Sequence, residues 1–115
     1  MAEECIFCRI ARGEVPAKVV RDDDHTIAFH DLDPKAPLHV LIIPKRHIGS
    51  INDVTAADAA VMGELFVAAR AIAETGGVAV DGYRVVMNTG AAAGQSVQHA
   101  HLHLLGGRQL RWPPG

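Results

Sequence analysis

The stretch His99-Ala100-His101-Leu102-His103-Leu104-Leu105 determines how the rest of the chain is interpreted. Histidine and apolar residues alternate in it, which is the period of a β-strand with one polar and one buried face. We therefore predict a strand over residues 100–105. The strand should place the three imidazoles on one face and send Ala100, Leu102 and Leu104 into the core. Three imidazoles on one face predict a chemical site.

The flanking sequence predicts an α+β fold with one long helix. Thr55 and Asp58 form a loose capping box, and Gly76-Gly77 ends the helix. The apolar residues at helical spacing between them are Val61, Met62, Leu65, Phe66, Ala69, Ile72 and Ala73. Short connections between the strands favour a mainly antiparallel sheet. The predicted strands cover residues 18–21, 25–30, 38–43, 83–87 and 100–105, and a short helical turn covers residues 5–11.

Composition limits the classes of function. The 115 residues suit a single domain over residues 1–115, and 49% of them are hydrophobic. Eleven Lys and Arg against thirteen Asp and Glu give a net charge of −2, which predicts neither a nucleic-acid nor a membrane partner. The longest aliphatic run covers only residues 40–43, and the acidic start lacks the pattern of a signal peptide. We expect a cytoplasmic protein.

Two kinds of chemistry suit the histidine run. The imidazoles are either neutral ligands of a metal, as in a three-His metalloenzyme, or one is a nucleophile or acid/base while the others position an anion. The Gly- and Ala-rich loop over residues 90–96 favours the second, because it can turn backbone N–H groups toward an anion and Ser96 adds a hydroxyl.

Both cysteines lie close together near the N-terminus, as Cys5-Ile6-Phe7-Cys8. In a chain without a secretion signal, this spacing indicates metal or redox chemistry before a structural disulfide. A pair of cysteines alone does not make a four-ligand site.

The motifs Asn88-Thr89-Gly90 and Gly94-Gln95-Ser96-Val97, with the histidine run, resemble the histidine triad superfamily. The similarity is closest to its histidine triad nucleotide-binding branch. It extends over nearly the whole chain, including Ala36-Pro37-Leu38-His39 and the ending Trp112-Pro113-Pro114-Gly115. The resemblance implies a HIT-like fold, with a mainly antiparallel five-stranded sheet, one long helix and a short N-terminal helix.

The resemblance also implies an enzyme that hydrolyses purine nucleoside 5′-phosphoramidates to a nucleoside monophosphate and an amine. By the family pattern, Nε2 of His101 attacks phosphorus and forms a nucleotidyl-histidine intermediate, while the carbonyl of His99 holds the other ring nitrogen. No catalytic cofactor is implied. The catalytic set implied by matching positions is His39, Ser96, His99, His101 and His103.

Matching positions also suggest where an AMP- or GMP-like substrate binds. An apolar slot suits a purine face, and the carboxylate of Asp31 can accept hydrogen bonds from both ribose hydroxyls. The nucleotide-binding residues implied by the resemblance are Phe7, Ile10, Phe29, His30, Asp31, Leu32, Asn88, Gly94, Gln95, Ser96, Val97, His101, His103 and Trp112.

Some bacterial relatives hold a structural zinc ion, and the corresponding residues here are Cys5, Cys8, His47 and His99. All four are present. An ideal strand places His99 on the same face as His101, so zinc binding requires strand twist or the end of the preceding loop to turn His99 toward the cysteines.

The resemblance implies a homodimer in which residues 111–115 cross to the partner subunit, where Trp112 lines the active site. Three alternatives to the hydrolase stay open at this point. They are a dinucleoside polyphosphate hydrolase or nucleotidyl transferase of the same superfamily, the three-His metalloenzyme, and a nucleotide-binding regulator without important turnover.

Overall fold

The computed structural model describes residues 5–115 as one five-stranded sheet with the long helix packed on one face. The strand order is β1-β2-β3-β5-β4, and every pairing is antiparallel. The predicted fold class is therefore confirmed. The elements are α1 (Ile6–Ala11), β1 (Val19–Asp22), β2 (Thr26–His30), β3 (Leu38–Pro44), α2 (Ala59–Thr75), β4 (Tyr83–Val86) and β5 (Leu102–Gly106).

Strand β3 is buried on both faces because its alternate side chains enter two different cores. Val40 and Ile42 pack toward α2, in the cluster that also holds Leu104. Leu41 and Ile43 pack on the opposite face, in a smaller cluster that includes residues of α1 and β2. This arrangement explains why the strand is continuously apolar rather than alternating. The prediction that Ala100, Leu102 and Leu104 are core residues is confirmed.

Helix α2 begins and ends where the sequence predicts, with one difference in its first turn. The capping box forms, since the Thr55 N–H donates to Asp58 Oδ2 at 2.9 Å, but residues 56–58 make a 3₁₀ turn before the α-helix starts. The helix ends at Gly76, where an added Cβ would lie 2.8 Å from a methyl group of Leu38. Close packing on β3 therefore requires glycine at this position.

One apolar residue of the predicted helical pattern faces outward. Leu65, Ala68, Ala69 and Ile72 form the buried stripe of α2, with the i, i+3, i+4, i+7 spacing of one helix face. Phe66 lies next to this stripe and is 55% exposed. In residues 5–115, no helix combines the length and hydrophobicity needed to cross a bilayer.

Strand β5 starts two residues later than predicted, at Leu102. The preceding backbone lies outside the sheet, where the Ala100 N–H donates to the carbonyl of Ile48 at 2.6 Å. His99 and His101 therefore lie before the strand, and only His103 lies within it. Strand β3 extends one residue beyond the predicted end at residue 43, because Pro44 pairs with Thr26.

We expect Leu65→Ala to lower the free energy of unfolding by about 2–5 kcal/mol, because it opens a cavity between α2 and the sheet. Urea denaturation at a fixed protein concentration measures the change. Val80→Ala is the control, since Val80 is 97% exposed and its truncation should cost less than about 0.5 kcal/mol. Equal effects of the two substitutions would contradict the assigned core.

Candidate functional site

The pairing of β3 with β5 brings two histidines from distant parts of the sequence into contact. His39 pairs with Leu105 and Leu41 pairs with His103, so both imidazoles project from the same sheet face. Nε2 of His39 lies 2.9 Å from Nδ1 of His103. The ring of His101 follows on the other side, with its centroid 4.9 Å from that of His103.

Backbone hydrogen bonding fixes the position of the proton on each of these rings. The Lys35 N–H donates to Nδ1 of His39 at 3.0 Å, so the His39 proton must be on Nε2. That N–H donates in turn to Nδ1 of His103, which leaves the His103 proton on Nε2. Burial lowers the pKa of His39, and burial together with the neighbouring His101 and His39 lowers the pKa of His103 to about 4. Both rings are therefore neutral near pH 7.

His101 presents the complementary nitrogen. Its side chain is 4% exposed, and its Nδ1–H donates to the carbonyl of His99 at 2.7 Å. Nε2 is therefore unprotonated when the ring is neutral. The edge of Phe7 packs on the ring, with centroids 5.1 Å apart and an interplanar angle of 89°. A bare ring nitrogen thus lies next to His103, whose Nε2 carries a hydrogen.

The ring of His99 does not share a face with the rings of His101 and His103. The prediction that alternation places three imidazoles on one face is therefore wrong. His99 is fully buried and precedes β5, where the loop turns its ring toward Cys5 and Cys8. Its Nε2–H donates to the carbonyl of Pro44 at 2.7 Å, so Nδ1 carries the lone pair and faces the two thiols. Burial lowers the pKa of this ring to about 4.

Cys5, Cys8, His47 and His99 form a cluster, called here the Cys–His cluster, whose ligand atoms all lie within 4.8 Å of one another. Nδ1 of His47 lies 3.2 Å from Sγ of Cys8, and Nδ1 of His99 lies 3.4 Å from Sγ of Cys5 and 3.6 Å from Sγ of Cys8. Tetrahedral Zn²⁺ with ordinary bond lengths would hold sulfur and nitrogen about 3.5 Å apart. The residues therefore fit the metal in number, type and spacing.

Two further contacts suit metal binding at this cluster. The Cys8 N–H points at Sγ of Cys5, at 3.5 Å, as the helix α1 cap, so the backbone holds this sulfur at the cluster. The bond from His99 to the Pro44 carbonyl is the outer-shell contact that orients an imidazole ligand.

The loop over residues 90–97 offers fewer backbone N–H groups to an anion than its composition predicts. The N–H groups of Ala93, Gly94 and Gln95 bond to carbonyls inside the loop, because residues 91–93 form a 3₁₀ turn. The prediction that they face an anion is therefore wrong for these three groups. The Gln95 side chain accepts from the Gly90 N–H and donates to the carbonyls of Gly49 and Val97. Gln95 thus holds the loop in place.

Two neighbouring cavities meet at Asp31 and His39. One has a volume of about 510 Å³, and its lining includes Asn88, Ser96, His103, Arg84, Arg108 and Pro114. The other has a volume of about 470 Å³ and is lined by Lys18, His30, Asp31, Leu32, Pro34, Pro37 and His39. Asp31 is oriented by the Asp33 N–H, which donates to its Oδ1 at 2.8 Å, and its Oδ2 lies 3.4 Å from Nε2 of His39.

The residues predicted to bind the nucleoside lie in two places, the smaller core cluster and the second cavity. Phe7 and Phe29 are buried in the smaller core cluster, with Ile10 and Val97 packed against it. His30, Asp31 and Leu32 line the second cavity, and Leu32 is 92% exposed. Trp112 is 82% exposed and lines neither cavity, whereas Pro114 of the same tail lines the first.

Sequence reasoning missed several groups that shape this site. The Lys35 N–H and the Pro44 carbonyl are backbone atoms, and no side-chain pattern marks them. Arg84 had a usable signal, because alternation along β4 places it on the face of Val86, which pairs with His103.

We expect the free energy of unfolding to decrease as the pH falls from 6.5 toward 4. The pKa of His103 is about 4 in the folded chain and about 6.5 when exposed, so between these values the unfolded chain binds a proton that the folded chain does not. His103→Gln removes this difference and should flatten the decrease. Urea denaturation of both proteins between pH 7 and about pH 4.5 makes the comparison, and parallel curves would contradict the buried neutral ring.

Comparison with known proteins agrees with this geometry. Residues 12–110 match the HIT domain. The chain is 50% identical to the purine nucleoside phosphoramidase of Escherichia coli over 110 residues, which are 96% of this chain and 92% of that protein. It is also 50% identical to an uncharacterized HIT-like protein of Synechococcus elongatus over the full length of both.

Solved structures show the same fold. A HIT family hydrolase from Legionella pneumophila superposes with a TM-score of 0.96 at 50% identity, covering 97% of this chain and all of that one. A HIT family hydrolase from Clostridium thermocellum gives a TM-score of 0.92 at 43% identity, covering 95% of each chain. Fold, sequence and the arrangement of the histidines therefore agree, and the chain belongs to the HIT domain family.

Proposed function

We propose that this chain is a purine nucleoside phosphoramidase, which hydrolyses the P–N bond of adenosine or guanosine 5′-monophosphoramidates. The Escherichia coli relative that shares half of its residues carries this name. The observation that carries the proposal is the bond from His101 Nδ1–H to the His99 carbonyl, because it leaves Nε2 free as a nucleophile. HIT-family membership supports a hydrolase with nucleotide substrates.

In the proposed reaction, Nε2 of His101 attacks the α-phosphorus, and the P–N bond breaks as the nitrogen takes up one proton and leaves as the amine. Water then attacks the nucleotidyl-histidine and gives up one proton, which releases the monophosphate and restores the free Nε2 of His101. The Nε2–H of His103 is available to donate to a phosphate oxygen, where negative charge develops. Ser96 and Asn88 line the same cavity and offer further polar contacts.

Asp31 is the proposed ribose contact. Its side chain is 20% exposed and lies between the two cavities, so it is reachable from the cavity that His30 and Leu32 line. Oδ1 is held by the Asp33 N–H, which fixes the direction of the carboxylate. A fixed carboxylate is suited to accept hydrogen bonds from two adjacent hydroxyls.

The geometry disfavours the three-His metalloenzyme. Nδ1 of His101 bonds to a carbonyl, Nδ1 of His103 bonds to His39, and the ring of His99 faces the cysteines. The three rings therefore do not converge on one point. Silent nucleotide binding is separated from the proposed activity by AMP release in the assay below, and polyphosphate hydrolysis or nucleotidyl transfer by comparing that rate with the rate on a dinucleoside polyphosphate.

We further propose that the Cys–His cluster holds structural Zn²⁺. Bound there, the metal would supply a cross-link between α1, the loop after β3 and the segment before β5. His99 is already neutral and oriented for this role, with its Nδ1 facing the two thiols. No step of the proposed reaction uses the metal.

Purified protein should release AMP from an adenosine 5′-phosphoramidate in excess EDTA. His101→Ala should abolish release while nucleotide binding stays within about tenfold, because only the nucleophile is removed. His25→Ala is the matched control, since it removes an exposed histidine from the turn before β2. Undiminished turnover by His101→Ala would refute the mechanism, and binding without release by the wild type would favour the silent nucleotide binder.

We also propose a cytoplasmic, single-domain homodimer that binds neither nucleic acid nor membrane. Strand β4 forms one end of the sheet, so its outer edge has no partner strand among residues 5–115. Phe66 and Val67 on α2 are 55% and 58% exposed, which is unusual for large apolar side chains next to each other. Trp112 is exposed and lines neither cavity of its own chain, whereas Pro114 does, so two-fold symmetry lets Trp112 of each tail reach the opposite active site.

The dimer should appear as twice the chain mass in sedimentation equilibrium. Phe66→Glu introduces a charge into the exposed apolar surface of α2 and should shift the protein toward monomer at micromolar concentration. Val19→Glu is the control, because Val19 is 50% exposed on β1, at the end of the sheet opposite β4. A monomeric wild type would refute the proposal. A Phe66→Glu variant that stays dimeric would show that this surface of α2 lies outside the interface.

A further inference from the structure

We propose that the Cys–His cluster positions the His101 ring for attack, so that metal binding and nucleotide binding strengthen each other. This inference rests on the proposed function for the role of His101 and on the proposed metal at the cluster. Three separate connections join the cluster to that ring. Each runs through a residue that belongs to the cluster or that is next to a cluster residue in the sequence.

The first connection is within one residue. The ring of His99 lies against the thiol groups of Cys5 and Cys8, at 3.4 and 3.6 Å, while its backbone carbonyl accepts the Nδ1–H of His101 at 2.7 Å. His99 is fully buried, so its ring and carbonyl move in a closely packed environment. A shift of the ring toward or away from the cysteines therefore changes the direction of the bond that orients the nucleophile.

The second connection runs through Phe7, which lies between the two cysteines in the sequence. Its ring packs edge-on against both His101 and His99, with centroid distances of 5.1 and 5.9 Å. Helix α1 has only six residues, too few to be stable without anchoring contacts. Ligation of Cys5 and Cys8 would anchor its first turn and with it the aromatic edge against the nucleophile.

The third connection follows the backbone. His47 contributes a ring to the cluster, and the carbonyl of the next residue, Ile48, accepts the Ala100 N–H at 2.6 Å. Ala100 directly precedes His101. The segment that carries the nucleophile is thus tied to the cluster from both the His99 side and the His47 side.

Metal binding changes how firmly these connections are held. Without metal, the cluster is joined by thiol–imidazole contacts of 3.2–3.6 Å, and a thiol is a weak hydrogen-bond donor. Metal–ligand bonds are about 2.0–2.3 Å long and directional. Asp31, Asn88 and Ser96, the proposed substrate contacts, lie outside the cluster. Loss of metal should therefore lower kcat by more than it raises KM, because weaker nucleotide binding is limited to the coupling between the two sites.

Thermodynamic linkage gives a test that does not depend on turnover. The Zn²⁺ affinity of the whole protein is measured by competition with a chromophoric chelator, with and without saturating AMP. We expect AMP to tighten Zn²⁺ binding by about fivefold or more, the lower end of typical couplings between sites. Phe7→Leu keeps all four ligands and should reduce this factor. Equal Zn²⁺ affinities with and without AMP, or no Zn²⁺ binding at all, would overturn the inference.

A kinetic test uses His47→Gln, which removes one ligand and keeps His99, whose carbonyl accepts from His101. We expect the variant to lose Zn²⁺ and to show kcat at least about tenfold lower, with KM raised by about the same factor by which AMP tightens Zn²⁺ binding in the wild type. His25→Gln, the matched control, should keep both metal and kcat. Loss of metal with unchanged kcat in a folded variant would overturn the inference, and an unfolded variant leaves the decision to the affinity measurement.

These outcomes are distinguishable from failure of the proposed function. A wild type that releases no AMP from phosphoramidates contradicts the phosphoramidase, whereas the Zn²⁺ affinity measurement still tests the coupling through AMP binding. Normal turnover with no linkage contradicts the coupling alone.

Discussion

The hydrogen bond from the His101 ring to the carbonyl two residues earlier is the constraint on which the rest of this site depends. It is 2.7 Å long and buried, and a strand backbone does not allow it, because strand carbonyls point along the sheet rather than at a side chain of the same strand. The chain therefore leaves the ladder before Leu102. That departure turns the His99 ring toward the cysteines, so one local bond organises both centres.

Burial and backbone polarity together determine the chemical state of the histidines. Removing a ring from water disfavours its charged form, which lowers the pKa of His99 and of His103 to about 4. A neutral ring has one donor and one acceptor nitrogen, and the fixed backbone groups of Lys35, Pro44 and His99 decide which is which. The result is a bare nitrogen on His101 beside a protonated nitrogen on His103.

Much of the fold could be predicted from the sequence because alternation and helical spacing report burial directly. Leu102 and Leu104 are core residues as the alternation indicates, and the capping box at Thr55 forms. Contacts made by backbone atoms, and contacts that depend on where a neighbouring element lies, produce no pattern in the sequence. The start of β5, the outward side chain of Phe66 and the internal bonding of Gln95 depend on tertiary structure, and so escaped prediction.

The Lys35 N–H that sets the proton on His39 has a consequence for genetics. Every amino acid except proline carries the same backbone group, so a library of single substitutions would leave this donor intact at nearly every change of position 35. Alanine scanning would therefore not report it, and Lys35→Pro would remove the donor only together with the backbone freedom of that position. Chemical protein synthesis, with the amide at that position replaced by an ester, would remove the donor alone and reveal its contribution.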